Sequence, residues 1–129
     1  LEKYALQLGA DCPFFIENTP KYVTGIGEKM TSIDFDLSSY RLKFIFPNIH
    51  ISSFEAYEGV IPNQPQKCLL DLVNQPIENW KKIVKNDFEV AAFVKYPQLN
   101  KIKEKFYDEK AIYASMTGSG SVIYGLFFS

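Results

Sequence analysis

The chain has 129 residues, 47% hydrophobic and 22% charged, the balance of an ordinary soluble globular protein with enough length to bury a core. Its 14 basic and 15 acidic residues nearly cancel, and Arg41 is the only arginine, so it lacks the basic face and arginine forks of a nucleic-acid binder. No apolar run approaches the roughly 20 residues that span a bilayer, and the N-terminus has no secretory pattern. Two cysteines, Cys12 and Cys68, are too few for a disulfide framework and lack metal-ligand spacing, which points to a reduced, cytoplasmic setting. The single histidine, His50, excludes a histidine triad or multi-histidine metal site within the chain.

In chain order, Leu1, Tyr4, Ala5 and Leu8 fall on one stripe of an amphipathic helix, with Gly9 as its C′ glycine. No N-cap residue precedes Leu1, and an apolar run over 122–128 stops at Ser129, so the chain reads as a piece of a larger protein. Residues 14–17 and 22–24 read as strands joined by a turn at 18–20. Residues 29–35 read as another strand, and 41–47 as a buried one. Pro62 and Pro65 mark a loop. Helical patterns then follow over 68–74, 77–85, 88–94 and 99–107, with Pro76 and Pro97 near helix starts. The lysine-rich stretches 81–85 and 101–110 are interleaved with acids and apolar residues and read as solvated helix faces. A strand at 111–115, a small-residue loop at 117–121 and a strand at 122–127 complete the chain. This order predicts an α+β fold, an antiparallel sheet with helices on one face.

Three segments carry the residue types of a chemical site. In Gly9-Ala-Asp-Cys-Pro-Phe-Phe15, Asp11 stands at a joint made by Gly9 and Pro13. A carboxylate there can reach a substrate hydroxyl, or it can bond its own backbone as a turn aspartate. Thr117-Gly-Ser-Gly-Ser121 can fold its N–H groups into an anion-holding concavity, or serve as a tight turn between strands. Because a strand follows it, it is not a dinucleotide-binding fingerprint, which opens a helix. In Ser52-Ser-Phe-Glu-Ala-Tyr57, Ser52 or Ser53 can N-cap a short helix with Glu55 near N3, and Tyr57 projects a turn further on.

Together these segments resemble the 4-diphosphocytidyl-2-C-methyl-D-erythritol kinases of the GHMP kinase superfamily. Leu8-Gly-Ala-Asp-Cys-Pro-Phe-Phe15 is similar to that family's Leu-Gly-Ala-Asp-Val-Pro-Phe-Phe, and Thr24-Gly-Ile-Gly-Glu28 to the Gly-x-Gly-Glu that follows it. Ser52-Ser-Phe-Glu-Ala-Tyr57 resembles Ser-Thr-x-Glu-Ala-(Phe/Tyr), with Ser53 where the family often has threonine. Asn86-Asp-Phe-Glu89 and Met116-Thr-Gly-Ser-Gly-Ser121 resemble two further motifs, in order and register along nearly the whole chain.

The resemblance implies the C-terminal part of a kinase that moves the ATP γ-phosphate to the substrate's 2-hydroxyl in non-mevalonate isoprenoid biosynthesis. It implies Asp11 as the catalytic aspartate, Tyr57 stacked on the cytosine, Ser53 at the substrate, and Gly118, Ser119 and Gly120 near the phosphates. ATP with Mg²⁺ is the implied cosubstrate. The family's nucleotide loop and the lysine partner of the aspartate do not occur in this sequence, which assigns them to a preceding N-terminal domain and makes the chain alone an inactive piece. On this reading residues 1–28 come from the junction with that domain, and residues 29–129 form a ferredoxin-like C-terminal domain. Another GHMP kinase acting on mevalonate, homoserine or a sugar, and a non-catalytic ligand-binding domain, are the competing readings.

Overall fold

The computed structural model describes residues 1–129, which divide into two units, Leu1–Leu37 and Ser38–Ser129. The first unit opens with α1 (Glu2–Leu8), a stretch without glycine, proline or β-branched residues, with Glu2 in the first turn. The helix stops at Gly9, whose N–H bonds Ala5 O, but Gly9 has φ 170°, an extended backbone any residue adopts and not a left-handed cap. Ala5 is buried, whereas Leu1, Tyr4 and Leu8 of the predicted stripe are exposed.

The pattern over 14–17 predicts a strand; the backbone there is a single helical turn, α2 (Phe14–Glu17). Pro13 precedes it with φ −58°, already helical, and Asn18 closes it in the left-handed region at φ 53°, donating its N–H to Phe14 O at 2.9 Å. A proline pre-set for helix and an asparagine tolerant of positive φ override the strand preference of Phe-Phe-Ile. The strands β1 (Lys21–Thr24) and β2 (Lys29–Ser32) then form an antiparallel hairpin, with Lys21 opposite Ser32 and Thr24 opposite Lys29. Lys21 is held by an ion pair to Glu17 and donates to Ser32 Oγ at 2.8 Å.

In the second unit, β3 (Tyr40–Ile45), β4 (Tyr113–Met116) and β5 (Ile123–Phe128) make an antiparallel sheet in the order β3-β5-β4. Between β3 and β4 run α3 (Ser53–Glu58), α4 (Leu69–Val73), α5 (Ile77–Ile83), α6 (Glu89–Lys95) and α7 (Pro97–Asp108). The four helical patterns of 68–107 are all present, with Pro97 in the first turn of α7, where its missing N–H costs nothing. β3, read as buried, is an edge strand paired only to β5, and Leu42 and Phe44 are close to half exposed. Its apolar run alone does not reveal how few elements cover it.

The core lies between α7 and the central strand. Leu99 and Phe106 of α7, Ala114 and Met116 of β4, and Ile123 and Phe127 of β5 are buried together with Ile51 and Ala56. Phe106 meets Phe127 edge-to-face at 6.1 Å. Toward α5, Trp80 stands edge-on to Tyr113 at 5.6 Å, and Tyr113 contacts Tyr124 at 6.1 Å. The Tyr113 hydroxyl donates to Val84 O at 3.1 Å. Burial pushes the phenols of Tyr113 and Tyr124 above their ordinary value, because a phenolate there would lose its hydration.

Two outcomes are expected. Leu99→Ala should cost about 2–5 kcal/mol through lost burial and a residual cavity, measured by denaturant unfolding, while Leu69→Ala on the half-exposed face of α4 should stay within about 0.5 kcal/mol. A phenol whose folded pKa is raised contributes stability that is whole below the unfolded value of about 10 and is lost as pH rises through the folded value. The thermal midpoint should therefore fall above about pH 10, and less steeply in Tyr113→Phe; identical slopes would show that this phenol does not couple to folding.

Candidate functional site

Candidate site residues occur in both units. In the first, Asp11 occupies the turn between α1 and α2, a helix-to-helix joint in place of the helix-to-strand joint that the sequence pattern predicts. Cys12 N–H bonds Gly9 O at 3.2 Å and Phe14 N–H bonds Asp11 O at 3.2 Å, so this turn closes through main-chain groups. The Asp11 side chain is exposed and lies against Gly27, where a β-carbon would come within 2.9 Å of its Oδ1. Gly27 also has φ +105°, a conformation that L side chains rarely adopt, so its backbone favours glycine whether or not the Asp11 carboxylate could move aside. The Glu28 carboxylate accepts the Ile26 N–H at 2.7 Å and closes the same turn. Gly27 thus leaves the Asp11 carboxylate the space that a β-carbon would take.

In the second unit, Ser52 is the N-cap of α3, its Oγ accepting the Glu55 N–H at 3.1 Å. The Glu55 carboxyl takes Lys95 as an ion pair and the Tyr96 hydroxyl at 3.0 Å, and these two partners, with a weaker contribution from the Ser52 backbone that is the reciprocal arm of a capping box, hold it below the usual range. Ser53 and Tyr57, four residues apart on α3, share a face and are both exposed. The Tyr57 ring stands edge-on to Phe88 at 5.1 Å, which leaves most of it open to solvent.

The loop over 117–121 links β4 to β5. Thr117 N–H bonds Val122 O at 2.8 Å across its base, and Gly120 N–H bonds Thr117 O at 2.9 Å. Gly120 has φ +101°, and a β-carbon there would press on Ile51 Cδ1 and Met116 Sδ at 3.0 Å each. Gly118, at φ +47°, has open space beside it. The Ser121 hydroxyl donates to Ile49 O, tying the loop to the β3–α3 connection. Within the loop the Gly120 N–H is thus spent on Thr117 O, and Gly118 is its exposed corner.

Sequence reasoning gave no role to Asn86 and Glu89, yet both hold this loop. Asn86 Nδ2 donates to Met116 O at 2.9 Å and Gly118 O at 2.7 Å, and its Oδ1 accepts the Phe88 N–H at 3.0 Å. The buried Glu89 carboxylate accepts the Met116 N–H at 2.8 Å and the Ser115 hydroxyl at 3.0 Å, and it pairs with Lys103 at 2.7 Å. The available signal was an amide and a carboxylate three residues apart at a helix start. Their partners lie about 30 residues away, which no local pattern encodes. No three His, Cys, Asp or Glu side chains converge into a metal-ligand group.

Residues 68–129 match the family model described as GHMP kinases C terminal. The chain is 49% identical over 128 residues to a protein of Azobacteroides pseudotrichonymphae genomovar. CFP2 named 4-diphosphocytidyl-2-C-methyl-D-erythritol kinase, covering 98% of this chain and 48% of that protein. Proteins of the same name from Bacteroides fragilis and Chlorobium phaeobacteroides (strain BS1) are 41% and 35% identical, each over 98% of this chain and 46% of their own length. The chain therefore spans about half the length of the curated relatives it matches. A crystal structure titled as 4-(cytidine 5'-diphospho)-2C-methyl-D-erythritol kinase shares the fold, with a TM-score of 0.82 at 24% identity over 97% of this chain and 47% of its own.

The two loop glycines should differ under substitution. Gly118→Ala should cost about 1 kcal/mol for left-handed backbone alone. Gly120→Ala should cost more, because Ile51 and Met116 must also give way. Thermal unfolding of both variants checks that order.

Proposed function

We propose, on the premise that residues 68–129 are a GHMP kinase C-terminal domain, that the chain is the C-terminal part of a 4-diphosphocytidyl-2-C-methyl-D-erythritol kinase. The reaction is transfer of the ATP γ-phosphate to the substrate's 2-hydroxyl, within non-mevalonate isoprenoid biosynthesis. The observation that carries this reading is 35–49% identity, across 98% of the chain, to relatives bearing that name. The other half of those relatives' length leaves room for an N-terminal domain holding the nucleotide loop and a lysine partner for Asp11. ATP would bring Mg²⁺ as its usual partner, to neutralise phosphate charge.

In the reaction, the substrate's 2-hydroxyl oxygen bonds to the γ-phosphorus while the bond from that phosphorus to the β–γ bridging oxygen breaks, and ADP leaves with the electron pair. Asp11 takes the proton of the attacking hydroxyl, a contribution of typically 10²–10⁴-fold. Its exposure at a turn fixed by main-chain bonds suits that task, because the carboxylate is accessible while its backbone is held. The exposed ring of Tyr57 stacks on the cytosine, worth roughly 1–3 kcal/mol. Ser53, on the same face of α3, offers the substrate a hydroxyl. The loop of Gly118, Ser119 and Gly120 lies near the phosphates, with the Ser119 N–H offered to a phosphate oxygen while that of Gly120 closes the loop on Thr117 O. Phosphoryl transfer has a loose transition state that proteins serve mainly by positioning groups and spreading charge, and these residue types do that.

In the full-length parent protein, Asp11→Asn should lower kcat by about 10²–10⁴-fold with little change in KM for the alcohol substrate. The wild type, offered the diphosphocytidyl substrate, mevalonate and homoserine in parallel, should phosphorylate the first with the highest kcat/KM. Wild-type kcat in Asp11→Asn would make Asp11 a structural turn residue, and a preference for another alcohol would move the protein to a different GHMP kinase.

A further inference from the structure

We infer that Asn86 is a positioning residue that aims the Ser119 N–H of the glycine loop at a phosphate oxygen, an assignment that rests on the kinase reading above. Both amide protons of Asn86 are used, on Met116 O at 2.9 Å and Gly118 O at 2.7 Å, and its Oδ1 is used by Phe88 N–H at 3.0 Å. The amide cannot rotate by half a turn, since that would set its oxygen against two carbonyls and its NH₂ against an N–H.

A peptide unit is planar, and in the trans form its C=O and N–H point in opposite directions. Drawing the Gly118 carbonyl onto Asn86 therefore turns the N–H of the same peptide unit, that of Ser119, away from Asn86. Drawing the Met116 carbonyl likewise orients the Thr117 N–H, which meets Val122 O at 2.8 Å. One side chain thus sets two successive peptide planes, one closing the loop base and one presenting a donor.

The tether is needed because little else fixes this corner. Gly118 is exposed at φ +47° with no atom within 4 Å of where a β-carbon would be, so no packing restrains it. Glycine also has the widest range of backbone conformations to lose. Two residues beyond Asn86, the Phe88 ring backs Tyr57 at 5.1 Å, so the same short segment braces both the loop and the exposed aromatic ring.

The test compares two variants of the full-length parent. Asn86→Asp keeps the acceptor for Phe88 N–H but faces both carbonyls with oxygen. Tyr107→Phe removes a hydroxyl that bonds Ala114 N–H at 3.1 Å and Ala114 O at 3.3 Å elsewhere on β4, and serves as the stability control. Asn86→Asp should lower kcat by about 10²-fold, the scale of a misplaced group. The ¹⁵N order parameter at Ser119 should fall from about 0.85 to below about 0.6. Tyr107→Phe should lower the melting temperature while leaving kcat and the Ser119 order parameter unchanged. If Asn86→Asp melts earlier but keeps kcat and a rigid Ser119, Asn86 is a structural bond only and the inference fails. Should that variant not fold, Asn86→Ala carries the same two measurements. A wild-type parent without kinase activity overturns the proposed function, while the order parameter still decides whether Asn86 holds the loop.

Discussion

The buried carboxylate of Glu89 is the joint on which the second unit depends. It sits in the first turn of α6, where the helix N-terminus favours negative charge, and receives Lys103 from α7 and both Ser115 Oγ and Met116 N–H from β4. Three elements therefore meet at one charge. Glu89 is buried and Lys103 partly so, and removing the lysine would leave a carboxylate largely cut off from water, a greater loss than breaking an exposed ion pair. Lys43–Glu109 on the exposed side of the same unit is of that weaker kind. The Glu89 carboxylate also holds the N–H of Met116, the last residue of β4 before the glycine loop.

Order in the loop is then divided between two sources. Gly120 supplies a conformation that L side chains rarely adopt and a closeness to Ile51 and Met116 that a β-carbon would crowd, and Asn86 and Ser121 supply tethers. Ile51 belongs to the core and Ile49 to the connection leading into α3, whose N-cap is Ser52. Loop and helix α3 are thus referred to a common piece of backbone. A shift in the core is felt at both, because packed interiors have little free volume to absorb it.

How far the fold was legible depended on how local its causes are. The helices between residues 69 and 108 follow from apolar periodicity and from Pro76 and Pro97, and the cap of α3 from Ser52, because each signal lies within one turn of its effect. The turn Phe14–Glu17 misled because an apolar aromatic run favours strand while Pro13 and Asn18 favour a helical turn, and the flanking pair prevailed. The exposure of β3 was illegible because burial of a strand depends on what lies over it, not on its own residues. At the site, residue chemistry left Asp11 open between a turn aspartate and a catalyst, and only the family resemblance supplied a role. The hydrogen bonds that tie Asn86 and Glu89 to residues 115–118 span 26 to 32 residues, beyond any window in which spacing carries information.

A chain with one arginine is an unexpected vehicle for phosphate chemistry until that arginine is located. Arg41 lies on β3 with its guanidinium 5.5 Å over the Phe127 ring, engaged with the sheet. On the proposed function, phosphate oxygens are met in this unit by main-chain N–H groups. An N–H donor of this kind has no long side chain to immobilise and no counterion to displace, and its direction is set by the peptide plane. That economy has a structural consequence. A flexible arginine finds its phosphate by moving, whereas a loop amide must already be aimed, so the burden passes to whatever holds the loop. The buried Glu89 and the saturated Asn86 amide are what such a strategy requires, which is why residues without direct chemistry are among the most heavily bonded in the unit.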